Sequence, residues 1–235
     1  MDAQEFADLA QSLHAAGTTQ QTADQVVEHA LTALGASYGG ITLLRAAGRL
    51  ETIAASDEIV RKADALQYDL DEGPCRDASW DGRTLASQDL ASDRRWPRWA
   101  PGAVDLGIGA VLAAELNTTD GGRRLGALNL YWAQPTTLRT DDLAYADIFA
   151  VHAAVALAAS LHESQLNTAL DARKVIGQAQ GILMERHGLN TEQSFEVLRR
   201  YSQDHNLKLR VVAEQLVATR ALLPKNGRDV GELSH

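Results

Sequence analysis

Apolar positions recur at helical spacing twice near the start of the chain. They are Phe6, Leu9 and Leu13 within residues 3 to 14, then Val26, Val27, Ala30, Leu31 and Leu34 within residues 22 to 34, and they predict two helices. The pattern then turns β-rich: Gly40 to Arg45 and Leu50 to Ala55 flank a short segment ending in Gly48, which suits a hairpin. Residues 57 to 67 return to helical spacing. The stretch through DEGPC, WDGR and DRRWPRWAPG holds three of the five prolines and three of the four tryptophans, so it reads as a long ordered loop with short inserts. Two more strands, Ile108 to Leu116 and Leu125 to Trp132, flank NTTDGGRR, whose Asp120-Gly121-Gly122 is a strong hairpin signal.

From Asp141 the pattern is uninterrupted helix. Thr140 can cap it, Asp141 and Asp142 complement the dipole in its first turn, and Leu143, Ile148, Val151, Val155, Ala158 and Leu161 continue one apolar side. A helix running to about residue 187 would be about 70 Å long, too long to bury its middle inside one compact domain. Its alanine-rich segment AVHAAVALAAS has two readings of equal weight: close approach of two copies in a parallel coiled coil, or packing on the protein's own sheet. Gly188 closes the helix, and Asn190 with Gln193 marks a capping box for the next, whose apolar side is Phe195, Leu198 and Tyr201. Leu209, Val212, Ala213, Leu216 and Val217 mark a last helix, ended by Pro224. Three short helices make a bundle too small to stand alone, so burial against the long helix is part of its expected stability.

Composition adds limits. The 235 residues allow one large domain or two, and 45% hydrophobic content excludes wholesale disorder. The start MDAQEFADLAQSLH lacks the basic end and apolar core of a secretory signal, and no uninterrupted apolar run approaches the length of a bilayer span. The expectation is a cytoplasmic protein without a membrane segment. One cysteine, Cys75, makes no internal disulfide and no thiolate zinc site by itself. A net charge of -9 argues against a nucleic-acid partner until the chain is divided. Residues 165 to 235 carry ten basic and eight acidic residues, leaving 12 basic against 23 acidic in residues 1 to 164.

These segments carry a resemblance. Arg173 to Ala213, RKVIGQAQGILMERHGLNTEQSFEVLRRYSQDHNLKLRVVA, resembles an ANTAR domain, the three-helix RNA-binding output module of bacterial antiterminators. The first half, through DEGPCRDASWDGRTLASQDLASDRRWP, LGALNLYW and the helix beginning at Asp141, resembles a GAF domain, a PAS-like sensory fold. Together they cover nearly the whole chain in the order of actinobacterial GAF-ANTAR regulators. The implied fold is α+β: an N-terminal GAF antiparallel sheet with flanking helices, a long dimerisation helix and a C-terminal three-helix bundle. The expected boundaries are 1–163 for the sensory domain, 141–172 for the connecting helix, 173–225 for the output domain and 226–235 for a flexible tail.

The activity the resemblance implies is binding of RNA with paired stem-loops, each with a hexanucleotide loop, by a homodimer that promotes antitermination. RNA loops are read by splayed bases and exposed edges with phosphates setting position, work suited to Arg, Lys, Asn, Gln and Ser. Arg173, Lys174, Gln178 and Gln180 form one expected wall; Arg199, Arg200, Ser202, Asn206, Lys208 and Arg210 form the other. Asn206 is placed to cap the third helix. Lys208 and Arg210 oppose its macrodipole, a sign that an incoming phosphate reverses. The family more often has lysine where Gln180 stands and aspartate where Val211 stands. Gly177 and Gly181 cost about 1 kcal/mol each inside a helix, which points first to close packing and second to RNA backbone approach.

The sensory half leaves its ligand open: cyclic nucleotides, bilins, haem, small metabolites or a protein partner, with none required for RNA binding. Cys75 reads as structural before it reads as a bilin or redox thiol, and Trp96 with Trp99 as loop packing before pocket lining. His152 and His162 have no kinase ATP-binding segment to serve as phosphoacceptors. Two other classes of function compete: a DNA-binding regulator using the third helix in a groove, and a thiol-dependent reductase, which would need more than one cysteine.

Overall fold

The computed structural model describes residues 17–118 and 124–222. The helix expected over 3–14, the Asp120-Gly121-Gly122 turn, Pro224 and the tail at 226–235 lie outside the described residues. The chain divides into two compact units, with the boundary between Glu163 and Ser164.

In the first unit α1 (Thr19–Leu34) precedes a hairpin of β1 (Tyr38–Leu44) and β2 (Leu50–Ala55), then α2 (Glu58–Leu70), α3 (Pro74–Asp81), β3 (Leu85–Ser87), α4 (Trp99–Asp105), β4 (Ala110–Asn117) and β5 (Arg124–Trp132). The five strands lie in the order β2-β1-β5-β4-β3, each neighbouring pair antiparallel. The near-continuous apolar runs of β4 and β5 follow from burial on both faces. Leu112, Leu116, Leu128 and Leu130 meet α1 and the start of the long helix, while Val111, Ala113, Ala127 and Tyr131 meet α2, α3 and α4. Gly126 is held at φ 144, and a Cβ there would lie 1.9 Å from the Thr42 carbonyl, so this crossing of β1 and β5 admits no side chain.

The stretch expected as a loop is more structured. Gly73 and Pro74 open α3 and Gly82, at φ 71, closes it, so the residues that looked like breakers are its boundaries. Trp96 and Trp99 are buried and meet edge to face at 6.0 Å; their indole N–H groups donate to Asp77 at 2.8 Å and to the Ala63 carbonyl at 3.0 Å.

The long helix, α5, spans Thr140–His187. Ala146, Phe149, Ala150, Ala153, Ala154 and Leu157 are buried on the sheet, so the alanine-rich side is used within the unit. The apolar residues left outward are Ile148, Val151 and Val155, the last 52% exposed. One 18-residue window of α5 reaches a mean hydropathy of 1.6 with a third of it buried, although His152 interrupts the apolar run. Alanine accounts for it, raising the average while supplying the flat face that packs on the sheet.

In the second unit the last part of α5 packs with α6 (Thr191–Asp204) and α7 (Leu209–Thr219) around Ala179, Leu183, Leu198, Val212, Ala213 and Leu216. Gly188, at φ 62, ends α5. Asn190 Oδ1 accepts from the Gln193 N–H at 2.8 Å, and Gln193 Oε1 accepts from the Asn190 N–H at 3.0 Å, the reciprocal capping box expected from their spacing. The inward side of α6 is Ser194, Val197, Leu198 and Tyr201. Phe195, one position off that line, is exposed, contrary to expectation.

Candidate functional site

The polar chemistry of the second unit gathers at the turn from α6 to α7. Ser202 Oγ donates to the Leu207 carbonyl at 2.6 Å and the Leu207 N–H donates back to the Ser202 carbonyl at 3.0 Å, fixing the turn from both ends. Asn206 sits within it at φ 51, a left-handed conformation that asparagine tolerates, and does not cap the helix. Lys208 occupies the cap position, and no side chain satisfies the first N–H groups of α7. With no carboxylate in that first turn and Lys208 at the cap, the helix start is uncapped and carries a cationic residue, a combination complementary to an anion. Arg210, on the same turn, pairs with Glu214 at 2.7 Å.

The other expected residues are placed as follows. Arg173, Lys174 and Gln178 lie exposed along α5. Gln180 turns toward α6, its amide donating to the Thr191 carbonyl at 2.9 Å, so it joins helix to helix. Arg199 pairs with Glu196 at 2.5 Å, whereas Arg200 is exposed and makes no ion pair among the described residues. An added Cβ at Gly177 or Gly181 would meet nothing within 4 Å, so close packing within the described residues does not account for these glycines.

A second polar centre lies inside the first unit. Asp64 is wholly buried, accepting from Thr52 at 2.7 Å and from the Tyr131 hydroxyl at 2.8 Å. Thr42 bridges Tyr68 at 2.8 Å and receives the Asn129 amide at 3.2 Å, while the Gln67 side-chain Oε1 takes the Cys75 N–H at 2.8 Å. Burial pushes the Asp64 carboxyl up to about 6, against the pull of its hydroxyl donors. Burial likewise pushes the Cys75 thiol up to about 12, which leaves it protonated and a poor nucleophile at neutral pH. Asp64, Gln67 and Tyr68 were not singled out in the sequence. The signal was there: polar residues three and four apart on the side of α2 that Val60 and Ala63 make apolar. Among the described residues no group of three or more His, Cys, Asp or Glu side chains is placed to hold a metal.

Comparison with known proteins gives two family matches, a GAF domain over residues 16–158 and an ANTAR domain over residues 164–217. No curated protein matches the chain. Among solved structures, the GAF domain of an Acinetobacter phosphoenolpyruvate-protein phosphotransferase is 12% identical with a TM-score of 0.52, covering 69% of this chain and 97% of that one. The corresponding Coxiella burnetii domain is 16% identical with a TM-score of 0.53, over 71% and 95%. A bacteriophytochrome from R. palustris is 9% identical with a TM-score of 0.56, over 83% of this chain and 46% of its own. At these identities the likeness is one of fold.

Proposed function

Because the chain belongs to the GAF-ANTAR regulators, with a sensory domain and an RNA-binding antitermination module, we propose that it acts in the cytoplasm as a homodimer on paired hexaloop stem-loops. Residues 1–163 would sense, 141–172 connect and dimerise, and 173–225 bind RNA. The observation that carries the RNA reading is the uncapped start of α7, with Lys208 at the cap position and no carboxylate in the first turn. Arg173, Lys174 and Arg200, in no ion pair among the described residues, supply further donors for phosphates or base edges.

The dimer reading shifts from the alanines, which the sheet occupies, to Ile148, Val151 and Val155, with Leu166 and Leu170 continuing the apolar sequence along α5. With about +2 on each output module, one stem-loop is held modestly. A second module on the same dimer adds avidity of about 10² to 10⁴ where the geometry fits. Electrophoretic shifts with a double-hexaloop RNA, the same RNA lacking one loop, and matched duplex DNA test this. Tight binding to the first and much weaker binding to the second are expected; binding to DNA alone would overturn the reading.

A further inference from the structure

The Arg186 guanidinium reaches across to the Arg220 carbonyl, at the end of α7, where Arg220 is held at φ 59. Beside this contact runs an open groove of about 620 Å³, with Ile182 and Val217 as its apolar wall and Gln178, Gly181, Glu185, Arg186 and Arg220 around it. Its volume falls within the range of sites that hold small ligands or short polymer segments. Bare helix backbone at Gly177 and Gly181, with nothing within 4 Å of where a Cβ would stand, lets a chain approach closely. Neither the Arg186 nor the Arg220 guanidinium takes part in an ion pair among the described residues, and the Arg186 contact holds its planar fork at the groove.

The direction of α7 connects this groove to the turn already described. Arg210, at its start, lies within electrostatic reach of Asp171 on α5, and its end meets Arg186, so α7 runs beside α5 in the same sense. Lys174, Gln178, Gly181 and Glu185 follow one another at intervals of three and four along α5, and twelve residues of helix from Lys174 to Arg186 span about 18 Å, the length of a few nucleotides.

We propose that the RNA site continues from the Lys208 turn along the groove between α5 and α7 and ends in a phosphate subsite made by Arg186 and Arg220. This rests on the RNA-binding reading and adds to it a strand path and two arginines outside the expected walls. Guanidinium forks suit phosphate oxygens, Gln178 offers an amide to a ribose or base edge, and Gly181 leaves room for the backbone between them. Glu185 opposes the anion and limits the affinity of the subsite.

The test uses the full chain, a double-hexaloop RNA and filter binding over a series of salt concentrations. Arg220→Gln should weaken binding roughly ten-fold at low salt and lower the salt slope by about 0.7, the value for one phosphate of a single strand. Glu185→Gln should tighten binding, and Gly181→Leu should block the groove while raising the circular dichroism melt slightly, since a helix-interior glycine is replaced where a Cβ meets nothing. An Arg220→Gln isotherm unchanged while Lys208→Ala weakens binding overturns the subsite and leaves the RNA reading intact. No binding by the unaltered protein overturns both. Altered dimer dissociation on sedimentation, with an unchanged salt slope, assigns the groove to a second copy of the chain and also overturns the proposal.

Discussion

The two units use their polar residues in opposite directions. In the first, which carries most of the acidic charge, Asp64, Thr42, Thr52, Gln67 and Asn129 turn inward and hydrogen bond to one another between the sheet and α2. In the second, the core of six buried apolar side chains has little polar company, and Lys174, Arg200 and Lys208 face outward. Inward polar groups specify one packing of a core, because an unmatched member is costly. Outward cations add little to folding and leave binding energy available. The contrast separates a unit whose polar groups fix its own packing from one whose cations are left at the surface.

That contrast can be broken at several points. The largest effect is expected at the proposed dimer surface: Val151→Glu with Val155→Glu should abolish the proposed avidity of about 10² to 10⁴ for paired stem-loops while leaving single-loop affinity near its starting value, as read by electrophoretic shift and sedimentation. Unchanged dimer mass would remove this surface from the interface. Next, Leu198→Ala, at a fully buried position in so small a core, should cost about 3 kcal/mol. It should melt the second unit ahead of the first in a calorimetric scan; coincident melting of both units would show that their stabilities are not independent.

The inward cluster gives a comparable effect through pH. The Asp64 carboxyl titrates at about 6 when folded and near 3.8 when unfolded, so its contribution is complete below about pH 4 and is lost as pH rises through about 6. The expected loss of stability by neutral pH is about 3 kcal/mol, seen in urea melts of the chain and absent in Asp64→Asn. Asp93, held down to about 2 by Arg95, acts below that window and with opposite sign. A flat profile between pH 4 and 6 in the unaltered protein would refute the burial argument. The smallest effect tests the outward side: Lys208→Ala should lower the salt slope of RNA binding by about 0.7 to 0.9 with no change in melting, and an unchanged slope would remove Lys208 from the phosphate contacts.

Much of this architecture was legible because its signals are local. The apolar runs of β4 and β5, the cap pair Asn190 and Gln193, and the unbroken run of α5 each depend on residues within a few positions. Where the reading failed, a distant partner decided the outcome. Gly73, Pro74 and Gly82 resemble loop residues until α3 is seen between them. The alanines of α5 left a dimer seam and sheet packing equally open, and the sheet beneath them decides for packing. Asn206 has the right residue type for a cap, but the Ser202 to Leu207 bonds shift the helix start two positions on. Asp64 was hidden for the same reason: its donors come from β1, β2 and β5 as well as α2, and no window contains them together.

The order of the sheet also sets a timetable. β5 lies between β1 and β4, and Tyr38 of β1 pairs with Tyr131 of β5, so the first hairpin has no central neighbour until residue 131 has been made. At about 5 to 20 residues per second of synthesis, the interval between these two tyrosines is about 5 to 20 seconds. Through that time the β1 edge is open in the nascent chain. The helices of the second unit, made after the first, close mostly local contacts and need no such wait. A cell that exposes this chain to heat or to a shortage of chaperones would therefore lose the sensory half of new molecules first.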